Sequence, residues 1–361
     1  MKSKLFIIIN KLVATIFLLI FTIACSQNGE NPRGTEDINP PIDLDPFERN
    51  QRLGRGINLG NALEAPNEGD WGVTLQSSYF KLVRQAGFNS VRIPIRWSTH
   101  ASTEQPYAID PTFFVRIDWA INQSFSNDLA VVINIHHYEE IMQDPAGHRE
   151  RFLALWQQIA EHYKNHDADL IFEILNEPNN ALTPDLWNTY LAQALEVIRE
   201  SNSGRTVIIG TANWGGIGSL SNLEIPVDEQ NTIVTVHYYN PFQFTHQGAE
   251  WVDGSDAWLG THWTGSASEQ QAVNNDLNQA ESWGIAHNKP IYLGEFGAYS
   301  AADMTSRTLW TNFVARQAET KNMSWAYWEF CSGFGIYDPE QAQWYNNLLN
   351  ALIPGSAALK M

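Results

Sequence analysis

Short apolar runs rich in β-branched residues recur along most of this chain, each ending in polar or aromatic residues. That recurrence limits the fold more than any other feature. The runs occupy residues 55–59, 90–97, 130–138, 170–178, 206–214, 232–240, 290–297 and 324–330. Between most of them lie segments with helical apolar spacing. Examples are Phe80, Leu82, Val83 and Ala86, then Trp187, Tyr190, Leu191, Ala194, Leu195 and Ile198. Eight strands alternating with helices predict an α/β fold with a parallel sheet, in its simplest form a single closed (β/α)8 barrel. A doubly wound open sheet is the rival. Its nucleotide-binding forms need a Gly-rich phosphate loop after the first strand, and none follows residue 59.

The N-terminal part reads differently. Lys2, Lys4 and Lys11 precede a run from residue 12 to 23 that is apolar except for Thr15 and Thr22. The run is shorter than the ~20 residues of a membrane-spanning helix and reads as a secretory signal, residues 1–24. Ala24 and Cys25, followed by Ser26, Gln27 and Asn28, resemble a bacterial lipoprotein signal in which Cys25 becomes the lipidated first residue. Such a signal usually has Leu where Thr22 stands, and ordinary secretion with cleavage nearby is the alternative. Residues 25–46 hold Gly29, Pro32, Gly34, Pro40, Pro41 and Pro46, with little to bury, and read as a flexible tether. Residues 47–361 then form one catalytic-sized domain.

Composition narrows the partners. Forty acidic against 22 basic side chains give a formal charge of −18. Nucleic acid is thereby excluded, since phosphate binding needs a basic stripe. The chain is poor in charge yet carries 14 Trp, a suitable stock for stacking on the apolar faces of sugar rings. Many could equally be core.

Active sites of such barrels sit at the C-terminal ends of the strands. Those ends supply Asn58, Asn61 and Glu64; Arg92; His136 and His137; Asn176 and Glu177; Trp214; His237 and Tyr239; Glu295; and Trp328. Glu177 and Glu295, on strands four and seven, face one another across the barrel mouth. Facing carboxylates suit glycosidic bond cleavage, one protonating the departing oxygen while the other attacks or activates water. A separation of about 5–5.5 Å would retain the anomeric configuration and about 6.5–9.5 Å would invert it; spacing along a chain does not say which.

Taken together, Asn176-Glu177-Pro178, Gly294-Glu295-Phe296-Gly297, Val91-Arg92-Ile93-Pro94, Ile135-His136-His137-Tyr138 and His237-Tyr238-Tyr239 resemble glycoside hydrolase family 5, the cellulase family of retaining (β/α)8 enzymes. The likeness covers residues 47–349 with the motifs in family order. Gly56-Ile57-Asn58-Leu59-Gly60-Asn61-Ala62-Leu63-Glu64-Ala65-Pro66 and Gly69-Asp70-Trp71-Gly72 resemble a bacterial endoglucanase branch, some of whose members also cut β-mannans. The resemblance implies that Glu177 is the acid/base, protonated at the start, and Glu295 the ionised nucleophile. It implies that Arg92 keeps Glu295 charged, that Tyr239 hydrogen-bonds it, and that Asn176 donates to the sugar 2-hydroxyl. Arg96, four residues beyond Arg92, is expected to pair with a structural acid. His237, placed with the catalytic group, also matches His136 and His137 in lining the subsite on the non-reducing side. Asn61 and Glu64 are expected to contact sugar hydroxyls, Trp328 to form a platform under the ring, and Trp251 to stack on sugar from the segment 241–286, a cleft wall.

Rival chemistries are less well served. His136, His137, Glu139 and Glu140 are zinc-ligand types without a helical His-Glu-x-x-His spacing. For Cys331 no feature lowers the thiol pKa, so a semi-buried wall residue is the better reading. The expectation is an exported, lipid-anchored, monomeric endo-β-1,4-glucanase that needs no metal or organic cofactor. A dedicated β-mannanase and a non-catalytic surface glycan-binding lipoprotein are the alternatives.

Overall fold

All eight runs form strands: β1 (Arg55–Asn58), β2 (Ser90–Ile93), β3 (Ala130–Asn134), β4 (Leu170–Glu173), β5 (Val207–Gly210), β6 (Thr232–Tyr238), β7 (Ile291–Phe296) and β8 (Ser324–Tyr327). They pair in parallel, each with its neighbour, and β8 pairs back onto β1, so the sheet closes into a barrel. Closure rules out the open-sheet rival. This is a computed structural model describing residues 45–360; the expected leader, the lipidation position Cys25 and nearly all of the tether lie outside them. Among the described residues no helix is long and apolar enough to cross a membrane.

Several helices start by the same device, a side-chain cap followed by Pro. Asp45 precedes α1 (Pro46–Leu53), and Asp110 precedes α3 (Pro111–Ser126), which follows α2 (Ser77–Ala86). The short α4 (Glu139–Gln143) leads to Asp144 and α5 (Pro145–Tyr163), and Thr183 precedes α6 (Pro184–Ser201). In each the cap oxygen accepts a backbone N–H that the helix leaves orphaned, while Pro occupies the first helical position, where its missing N–H costs nothing. Pro46, expected to be the last residue before the domain, belongs to α1. On α6 the buried residues are Trp187, Tyr190, Leu191, Ala194, Leu195 and Ile198, the stripe given by its periodicity. The remaining helices of the ring include α7 (Phe242–Thr245), α8 (Ala267–His287) and α9 (Met304–Thr320).

The barrel interior is layered. Ala130, Val132, Ile171, Ile208, Ile233, Tyr292 and Ala326 fill its lower part, and Leu53 of α1 joins them from below. The helix is pinned there by Asn50 Nδ2 donating to the Ile291 carbonyl (3.0 Å) and by Ser90 Oγ donating to the Leu53 carbonyl (2.7 Å). Higher up β1 to β4, inward positions turn polar: Asn58, Arg92, Asn134 and Glu173, all buried. Most strands end short of the sequence runs because the motif residues have left the ladder. His137 and Glu177 have φ of 43° and 46°, which turn the chain out of extended conformation.

Candidate active site

Arg92 organises the polar layer. Its five N–H donors meet five acceptors. Nε and Nη2 bind the two oxygens of Glu173 (2.6 and 2.7 Å), Nη2 also binds Asn176 Oδ1 (2.8 Å), and Nη1 binds Asn58 Oδ1 (2.9 Å) and Glu295 Oε1 (2.6 Å). Glu173 escaped the sequence reading of the site, although a Glu within an otherwise apolar strand is itself a signal that a buried cation waits for it. Arg96, by contrast, forms no ion pair among the described residues, and its Nε is buried without a partner. The structural acid expected for Arg96 belongs to Arg92, because alternate residues share a face only while the strand lasts, and β2 ends at Ile93, three residues before Arg96.

Glu295 is buried and doubly held. Besides Arg92 on Oε1, its Oε2 accepts from the Tyr239 hydroxyl at 2.9 Å. Burial by itself would raise its pKa. The charges of His237 and Arg92, with the Arg92 and Tyr239 hydrogen bonds, outweigh that and hold it below the usual carboxylate value. Burial and the adjacent carboxylates push the Tyr239 phenol well up, so it stays a donor.

A bulge in the β6–β7 ladder sets the third member. Val236 pairs with Leu293 but His237 pairs with Glu295, leaving Gly294 unopposed. A Cβ on Gly294 would come within 2.5 Å of Thr235 Oγ1, so the glycine of the Gly294-Glu295 motif is required by close approach. His237 Nδ1 lies 2.8 Å from Glu177 Oε1 and 3.6 Å from Glu295 Oε2. Burial would lower the imidazole pKa, yet Glu295 and Glu177 raise it above its ordinary value. Ligating atoms of Glu177, His237 and Glu295 all fall within 4.8 Å of one another. Geometrically the trio could hold a metal ion, but both Glu295 oxygens are already engaged and the Arg92 cation touches one of them, which opposes a second cation.

Around this centre, Asn176 has its Oδ1 fixed by Arg92, which turns Nδ2 away as the free donor. Asn134 Oδ1 accepts from the Ile95 N–H, so Nδ2 donates to His136 Nδ1 at 3.0 Å. Burial and the neighbouring positive charges hold His136 well below its ordinary pKa, so it is neutral with its proton on Nε2. Its ring lies parallel to that of half-buried Trp328, centroids 5.9 Å apart. His137 is half-buried and meets His136 edge-on at 4.6 Å. Asn61 sits half-buried at the turn after β1 with φ 61°.

Glu64, expected to contact a sugar hydroxyl, has a local structural role as well. It is fully buried, and its oxygens accept the backbone N–H groups of Asn61 and Ala62. Both oxygens are thus engaged in holding the loop that carries Asn61. Glu329, missed in the sequence, does the same for the loop after β8, taking N–H donors from Cys331, Ser332 and Phe334. Burial raises both carboxyls to about 7, with Glu64 adding to the effect on Glu329. Cys331 is half-buried, and burial followed by the Glu329 charge pushes its thiol up, away from a nucleophilic thiolate.

On the far side of Glu177 opens a cleft of about 770 Å³ whose lining includes Trp214, His237, Tyr239, Phe242, His246 and Trp251. Trp251 is exposed, as is Trp214, whereas Trp263 is core. The segment 241–286 thus does wall the cleft. His246 was not singled out by sequence; it stacks on Phe242 at 4.1 Å, and burial lowers it to about 4.

Known proteins agree with this geometry. The family model described as cellulase, glycosyl hydrolase family 5, matches residues 54–333. Endoglucanase H of Acetivibrio thermocellus is 36% identical over 329 residues, 89% of this chain but only 35% of that protein's length. The endoglucanase Cel5A of Thermotoga maritima, solved in complex with cellobiose and with mannotriose, is 58% identical with a TM-score of 0.85, over 86% of this chain and 100% of that one. The chain is therefore a member of glycosyl hydrolase family 5, the cellulase family.

Proposed function

We propose that this chain is a retaining endo-β-1,4-glucanase acting on cellulose-like or mixed-linkage glucans through Glu177 and Glu295. The observation that carries the reading is the approach of their carboxylate oxygens to within 4.8 Å. That approach is close to the roughly 5–5.5 Å of retaining pairs and leaves no room for the water an inverting pair holds between its carboxylates. In the first step Glu177 gives its proton to the glycosidic oxygen while Glu295 attacks the anomeric carbon. The C–O bond breaks, the shortened chain leaves as an alcohol, and a glycosyl ester of Glu295 remains. Glu177, now a carboxylate, then takes a proton from water, whose oxygen displaces Glu295 from the same carbon. Arg92 and Tyr239 keep Glu295 ionised for the first attack and stabilise it as leaving group in the second. Asn176 Nδ2 donates to the 2-hydroxyl, and His136 Nε2–H is a second donor on that side.

A second substrate class has its own support, since the Thermotoga relative was solved with mannotriose as well as cellobiose. Glucose and mannose differ only at C2, so glucomannan or unsubstituted mannan is a reasonable further substrate. Export and lipid attachment at Cys25 are part of the proposal, resting on the Lys2-to-Cys25 pattern; lack of radiolabelled palmitate incorporation in a bacterial host would reject the anchor.

The deciding assay measures reducing ends released by residues 26–361 from mixed-linkage β-glucan and from β-mannan, beside Glu295→Ala. Release from glucan, abolished by Glu295→Ala, is expected. Activity on mannan alone would replace the glucanase reading with the mannanase. Binding without release from either would leave a glycan-binding protein.

A further inference from the structure

Three tryptophans are neither core nor half-buried: Trp71, Trp214 and Trp251, exposed by 40%, 55% and 61%. Trp214 follows β5 and Trp251 follows β6, and both line the cleft on the Glu177 side. Trp71 follows β1, which in a closed eight-stranded barrel lies across the mouth from β5. It has no part in the catalytic machinery described above.

Its loop is built to hold the ring in place. Glu68 binds Arg116 through both oxygens (2.7 and 2.8 Å) and also accepts the Leu75 N–H (2.8 Å). Asp70 Oδ2 accepts the Asn67 N–H at 3.0 Å, and Gly72 N–H closes on the Gly69 carbonyl at 2.9 Å. Gly69 and Gly72, with φ of 98° and 85°, turn the chain on either side of Asp70 and Trp71. The Glu68–Arg116 pair and these turns thus fix the position of an exposed apolar ring.

The ring also continues an aromatic line. Trp328 and His136 lie parallel at 5.9 Å, His136 meets His137 at 4.6 Å, and His137 meets the edge of Trp71 at 5.3 Å. Those four residues come from the ends of β8, β3 and β1, on the opposite side of Glu177 from the cleft walled by Trp214 and Trp251. The acid/base delivers its proton toward the departing sugar. Its open side, with Trp214 and Trp251, is therefore the leaving-group half, and the half containing Trp328, His137 and Trp71 holds the sugar that is attacked.

We infer that Trp71 is a further sugar-stacking platform at the non-reducing end of the bound chain, outside the two subsites nearest the cut, and that it makes the enzyme favour longer β-1,4-glucan chains. This rests on the glucanase reading above. The test compares aryl β-cellobioside with aryl β-cellotetraoside, which share a leaving group and differ only in glycone length. For Trp71→Ala the expected result is a loss of kcat/KM on the cellotetraoside about two- to tenfold greater than on the cellobioside, carried by KM, as one lost ring contact requires. Trp71→Phe should recover part of that difference. An equal loss on both substrates would assign Trp71 to propping His137 and overturn the inference, as would no loss on either. Wild-type silence on both, with Glu295→Ala indistinguishable from it, would instead reject the glucanase reading.

Discussion

Nη1 of Arg92 sits 2.6 Å from Oε1 of Glu295, with both side chains almost wholly withdrawn from water. The same guanidinium is clamped by the two oxygens of Glu173. A buried ion pair of this kind is poor evidence of stability, because desolvation offsets much of the attraction. Its value is electrostatic: the cation is fixed before the reaction starts and needs no reorganisation when charge develops on Glu295.

Replacing Arg92 with Lys removes two of five donors and the planar fork. Glu295 would lose part of what holds its pKa down, so that pKa should rise. Since the ionised form attacks, the acidic limb of the kcat/KM profile should move to higher pH, from below the usual ~4.3 of a free Glu. Tyr239→Phe should move the limb the same way by less. A limb that stays put in both variants, read from pH–rate profiles, would refute this account of the nucleophile.

Glu177→Ala should separate substrates by leaving group. On an oligosaccharide, whose departing oxygen needs a proton, kcat should fall about 10²–10⁴-fold. On a dinitrophenyl cellobioside, whose leaving group needs none, glycosylation should be nearly spared and deglycosylation slowed. Added azide should then rescue turnover and give the β-azide, retaining configuration, detectable by proton NMR. Glu295→Ala should be inactive on both substrates.

Glu64 and Glu329 make stability depend on pH. Each is raised to about 7 in the folded chain, against ~4.3 when unfolded. The folded state therefore binds protons more tightly, and stability falls as pH rises between those values. The contribution is complete below about pH 4 and lost once pH has passed 7. The melting temperature of wild type should decline from pH 5 to 8, more steeply than that of Glu329→Gln. Parallel curves would contradict the shift.

Leu53→Ala tests the floor of the barrel. Leu53 is fully buried among the inward residues of six strands, so truncation should cost about 2–5 kcal/mol. Urea unfolding measures this through the midpoint, while kcat/KM at 25 °C should hardly change because the polar layer above is untouched.

Much of this was legible without coordinates, for definite reasons. Strands of a parallel barrel are buried on both faces, so they read as continuous apolar runs, and all eight were visible as such. The helix starts were marked by Asp-Pro and Thr-Pro. Glu177 and Glu295 stood out because a carboxylate closing an apolar strand has no structural need to be there. What one sequence could not supply was partnership. Arg92 and Arg96 look alike along the chain, yet only Arg92 faces inward, where Glu173 and Glu295 converge on it from strands far apart in sequence. Glu64 and Asn61 look like two equal sugar contacts, but folding buries one beneath the backbone of the other. Trp71, Trp214, Trp251 and Trp263 share a composition class, and only packing separates a core ring from three exposed ones. Local pattern determined which elements form and where their polar ends fall, since periodicity and capping act over a few residues. Tertiary structure decided which of those ends meet, because the pairing of charges, the bulge that brings His237 to Glu295 and the burial of Glu64 depend on closing the barrel.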